Sequence, residues 1–142
     1  MILFTLNDIE LEFNTESSIL TVRWIGPLKQ DDFAIIWQQV LILATKHQIR
    51  FILLDTTFVH TQNSPDIDDY SIHQYFRQTL ALPYLEKIAR IVTNNTTYDQ
   101  KITNLYTTLL QQNKGIQFQN FNHYYEAMDW LLEMHYVENK QL

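Results

Sequence analysis

The chain has 142 residues, no cysteine and only two glycines; 46% of its residues are hydrophobic and 13% aromatic, and sixteen acidic against ten basic side chains leave a formal charge of −6. That length and composition suit one globular domain, 1–142, and the missing thiols exclude disulfides, thiolate metal centres and a cysteine nucleophile. Two glycines are too few for a dinucleotide fingerprint or a P-loop, and an acidic chain without a basic window cannot displace counterions from nucleic acid.

In chain order, Ile2-Leu3-Phe4-Thr5-Leu6 reads as a first strand and Asn7-Asp8 as a two-residue hairpin turn. Ile9, Leu11 and Phe13 alternate with Glu10 and Glu12, the pattern of a half-exposed strand. Leu20, Val22 and Trp24 then share one face of a third strand that Gly26-Pro27 ends, so the three form an antiparallel meander.

From Asp31 the period changes to that of a helix, with Phe33, Ile36, Trp37, Val40, Leu41 and Ala44 on one stripe. Asp31 and Asp32 stand in its first turn, where negative charge complements the helix dipole. Arg50-Phe51-Ile52-Leu53-Leu54-Asp55-Thr56-Thr57 follows. Its four consecutive apolar residues predict a central parallel strand buried on both faces, with Phe58 to Asn63 as a loop beyond it.

Ser64-Pro65-Asp66 has the form of a helix start, Ser64 as the cap. The helix to Leu80 carries Ile72, Tyr75, Phe76, Thr79 and Leu80, with Tyr70 and His73 off that stripe. Lys87 to Thr93 reads as the next strand. Thr97 to Gln100 has capping-box form before a helix with Tyr98, Ile102, Leu105, Tyr106, Leu109 and Leu110 on its stripe, closed by Gly115. Ile116-Gln117-Phe118 is a short edge strand. Asn122 caps a last helix that turns Tyr124, Ala127, Met128, Leu131 and His135 inward.

The order β-β-β-α-β-α-β-α-β-α predicts an α/β domain: one mixed sheet, an N-terminal antiparallel meander and right-handed βαβαβα crossovers. The longest apolar runs fall well short of the roughly 20 residues of a membrane span. No basic-then-apolar leader opens the sequence, and the expectation is a cytoplasmic protein.

Three features resemble the small bacterial STAS and STAS/SEC14-like domains of the anti-sigma-antagonist type. They are the meander ending in Leu20-Thr21-Val22-Arg23-Trp24-Ile25-Gly26, the buried strand closing in Leu54-Asp55-Thr56, and the terminal Tyr125-Glu126-Ala127-Met128-Asp129-Trp130-Leu131. The resemblance implies a STAS-like fold and regulated binding to proteins or small ligands. Antagonist-type members share an Asp-Ser-Ser-Gly step whose serine accepts a phosphoryl group. Here His60-Thr61-Gln62-Asn63-Ser64-Pro65-Asp66 replaces it, and the phosphoacceptor is not carried over.

Asp55, Thr56, Thr57, Thr93 and Asn94 fall at the carboxyl ends of neighbouring strands, where open α/β sheets place their ligands. With Ser64 they make a candidate ligand crevice; capping and loop hydrogen bonds are the plainer use of the same residues. No histidine pairs with another at i+3 or i+4, and the Asp66, Asp68, Asp69 cluster lacks the glycine of a Ca²⁺ loop, so no metal site is expected. Ser64, His60 and Asp55 have no nucleophile elbow around them and make no triad.

The reading is a non-enzymatic regulatory or protein-interaction module without a cofactor; the rival is a binder of a small lipid- or nucleotide-like ligand. The irregular stripe of the helix to Leu80 further suggests a homodimer through Tyr70, His73 and Arg77.

Overall fold

A computed structural model gives the fold and describes residues 2–6, 9–27, 30–60, 69–93, 96–111 and 115–133. The elements are β1 (Ile2–Leu6), β2 (Ile9–Asn14), β3 (Ile19–Pro27), α1 (Gln30–Lys46), β4 (Phe51–His60), α2 (Asp69–Leu80), β5 (Lys87–Ile91), α3 (Thr96–Leu110), β6 (Gln117–Phe121) and α4 (Tyr124–Leu131). One six-stranded mixed sheet holds the strands in sequential order, β1 to β6. β1, β2 and β3 pair antiparallel, and each later neighbour pairs in parallel.

The alternating residues of β2 behave as their chemistry requires: Ile9, Leu11 and Phe13 are buried, while Glu10 and Glu12 are half-exposed. At the β2–β3 turn the Asn14 side chain accepts the N–H groups of Glu16 and Ser17 at 3.0 and 3.2 Å. Ser18 then takes a φ of 58°. Its hydroxyl and carbonyl oxygens accept the Arg50 N–H at 3.2 and 3.3 Å, which ties the turn to the start of β4.

α1 ends in a Schellman closure without glycine. Gln48 takes the left-handed position at φ 52°, Ile49 N–H reaches Ala44 O at 3.0 Å, and Gln48 N–H reaches Thr45 O at 3.4 Å.

Each of the three crossovers moves one strand further in the same direction, so crossovers of one hand set α1, α2 and α3 on one face. There Leu20, Val22, Ile52, Leu54 and Ile88 of the sheet join the buried stripes of those three helices. On the other face Ile19, Phe51, Leu53, Ala89 and Ile91 meet Ala127 and Leu131 of α4. Phe51, Ile52, Leu53 and Leu54 are at most 5% exposed, as a strand covered on both faces must be.

A chain of rings spans the helical layer from β3 to β6. Trp24, Phe33, Trp37, Phe76, Tyr106 and Phe118 follow one another at centroid separations of 5.9, 5.3, 5.6, 4.2 and 4.3 Å. Trp37 Nε1 donates to Thr79 Oγ1 at 2.7 Å, fixing α1 to α2.

Several sequence expectations shift. β4 runs on to His60 instead of breaking at Phe58, because β3 continues beside it to Pro27. Gln100 donates to Asn104 at 3.0 Å instead of reaching back to a cap. His123, with extended backbone, precedes α4 where Asn122 was expected as cap; Tyr124 is exposed and Met128 half-buried, leaving Ala127 and Leu131 as the buried positions. The Asn7-Asp8 turn, the Ser64 start and His135 lie outside the described residues. No described helix is long and apolar enough to cross a membrane.

Candidate functional site

The carboxyl ends of β4 and β5 are where polar residues enter the interior. β4 pairs with β5 as far as Asp55↔Ile91. Beyond that point β4 continues, among the described strands, beside β3 alone, and a bulge sets Thr56 and Thr57 against Trp24. The Thr56 hydroxyl donates to the carbonyl of Ile91, the last β5 residue of that pairing, at 2.6 Å.

Strand alternation then divides the residues expected to act together. Thr56 faces the helical layer, whereas Asp55 lies on the opposite face, its carboxylate 3.6 Å from Arg23 Nε. Arg23 also reaches Glu10 and Glu12 at 3.2 and 3.3 Å. Partial burial opposes its charge, but the hydrogen bonds to Glu12 and Glu10 and the charges of Glu12 and Asp55 outweigh that. The guanidinium is held above its ordinary value.

Thr93 is buried, and both its N–H and its hydroxyl donate to one Asp99 oxygen, at 3.1 and 3.0 Å. Thr57 belongs to β4, and its side chain lies outside the described set, as do Ser64 and Asn94 altogether. Thr56 and Thr93 thus serve strand ends and a loop, while Asp55 belongs to a charge network on the far face. The strands lie in sequential order, so among the described elements the crossovers do not reverse direction.

The sequence reading passed over the most unusual side chain at this place. Arg90 is only 2% exposed, and its Nη1 lies 2.8 Å from the Asp99 carboxylate. Beside it on β6, Asn120 donates to Thr103 Oγ1 at 2.6 Å, and Thr103 donates to Asp99 O at 2.8 Å. A polar seam therefore joins β5, β6 and the first turns of α3. The signal was legible: a lone arginine in Ile88-Ala89-Arg90-Ile91, a strand with parallel neighbours on both sides, must find a buried carboxylate.

Lys87 at the other end of β5 follows the same logic on the α4 face. Its Nζ donates to Trp130 O at 2.7 Å and lies 4.8 Å from the Trp130 ring centre, closing the end of α4.

A cavity of about 40 Å³ lies between Trp24, Phe33, Trp37 and Phe76, with Thr56 and Arg90 as the polar groups in its described lining. It has room for roughly two or three waters. Small-molecule pockets measure about 300–1,000 Å³. A larger hollow of about 650 Å³ opens at the end of α4, and its described lining is Asp129, Trp130, Leu132 and Glu133. Among the described residues no group of three or more His, Asp or Glu is placed to hold a metal ion.

At the surface, Tyr70 is 74% exposed and Arg77 exposed, with the half-buried His73 between them, its Nδ1 3.5 Å from Arg77 Nη2. Positions 70, 73 and 77 form one outward row of α2. Ile72, Phe76, Thr79 and Leu80 are buried on the other side, so the irregular stripe expected from sequence resolves into a single buried face.

No protein-family model, curated protein or solved structure matches this chain.

Proposed function

We propose that this chain is a non-enzymatic regulatory or protein-interaction module of STAS-like fold, and that α2 presents its binding surface. The mixed sheet, with its meander and three crossovers, supports the fold half of that reading. The observation that carries the functional half is the outward row of Tyr70, His73 and Arg77 on a helix whose other face is fixed by the core. Tyrosine and arginine are enriched where interfaces concentrate their binding energy, since each joins a broad apolar or planar surface to a directional polar end. The rival, a small-ligand binder, draws on the cavity beside Thr56 and Arg90, whose size suits water and not a lipid or nucleotide.

The test is affinity capture from native lysate with the unmodified chain and with a Tyr70→Glu, Arg77→Glu variant in parallel. The reading expects a stoichiometric partner held by the first and lost by the second, with circular dichroism unchanged. Identical captures, or turnover of a substrate by the purified protein, would refute it.

A further inference from the structure

α1 carries a pattern that the packing of the described residues does not use. Between Asp32 and Lys46 it has no charged residue, in a chain of formal charge −6. Its inner stripe is buried, yet Ile35 and Ile42 are 45% and 57% exposed, with the exposed Gln38 between them on the same outward row. These positions are related by reversal. Ile35 and Ile42 are centred between Gln38 and Gln39, and so are Asp31, one turn before Ile35, and Lys46, one turn after Ile42.

We propose that this face binds a second copy of the same chain, α1 antiparallel to α1 about a two-fold axis between Gln38 and Gln39. Two-fold contact requires that if one residue meets another across the axis, the second also meets the first. Antiparallel helices centred there set Ile35 against Ile42 of the second copy, twice, and Gln38 of each copy against Gln39 of the other beside the axis. Each end then brings Asp31 of one chain toward Lys46 of the other, roughly 11 Å along the helix from the axis. The charge reversal fixes the antiparallel direction, since a parallel pair would set like charges together. The charge-free centre is also where two acidic chains approach with least repulsion. This self-association is independent of the α2 surface, which remains free for another protein.

Sedimentation of the full chain over rising concentration should show a monomer–dimer equilibrium. Lys46→Glu should weaken it roughly tenfold, and Asp31→Lys together with Lys46→Glu should restore it, because the pair is then only reversed. The chain has no cysteine, so Gln38→Cys alone should give an oxidised dimer, while Gln78→Cys on α2 should not. Ile35→Glu with Ile42→Glu should stay folded by circular dichroism and sediment as a monomer. The proposal is overturned by a chain that stays monomeric at every attainable concentration, by a dimer indifferent to the α1 changes, or by cross-linking at position 78 and not 38.

Discussion

Arg90 and Asp99 meet at 2.8 Å beneath the start of α3, with the arginine 2% exposed. Asp99 also receives both donors of Thr93, so one carboxylate holds the end of β5, the loop after it and the first turn of the helix together. Its removal should therefore be felt as a buried charge left without its partner, not as a lost surface contact.

Asp99→Ala should destabilise the fold by about 3–5 kcal/mol, the usual cost of breaking a buried ion pair. Arg90→Met with Asp99→Leu should lose less than Asp99→Ala alone, because no charge is then buried. Urea unfolding of the three proteins tests both statements; a double variant less stable than Asp99→Ala would contradict them.

Leu53→Ala should cost about 2–5 kcal/mol, since the side chain is fully enclosed between the sheet and α4. The denaturant slope should stay the same while the midpoint falls.

Thr56→Val keeps the volume of the side chain and deletes its bond to Ile91 O. A loss of about 1 kcal/mol is expected, the usual net worth of one hydrogen bond. Hydrogen exchange should quicken first at the carboxyl ends of β4 and β5. No change in either measurement would mean that the carbonyl finds water from the adjacent cavity.

Arg23→Met should destabilise at neutral pH, because Glu10, Glu12 and Asp55 then share one sheet face without a cation. Salt near 1 M, where the Debye length falls to about 3 Å, should shrink that loss. The folded-state value of Arg23 is raised, so its contribution is fully present below the ordinary arginine value and is lost only as pH climbs through the higher folded one. The stability difference between the two proteins should therefore show no arginine titration across neutral pH, as unfolding at pH 6 and pH 9 would show.

The element order, the α/β class and the buried character of Phe51 to Leu54 were legible in the residues alone, because periodicity and consecutive apolar residues report how many faces an element must cover. The sequence also marked Ile72, Phe76 and Leu80 as inward, since a period of 3.6 belongs to the backbone and not to the neighbours. Where the polar residues go depends instead on the packing of elements distant in the chain. Asp55 and Thr56 are adjacent in sequence, yet one joins Arg23 on one face of the sheet and the other lines the cavity on the opposite face. The length of β4 was likewise set by β3, whose hydrogen bonds run on to Pro27 after β5 has ended. Arg90 needed Asp99, nine positions along the chain and across a loop, and a pairing of that kind is fixed by the docking of α3 on the sheet. Local pattern reports what a residue must hide; which group it meets when hidden depends on the chain elements folded against it.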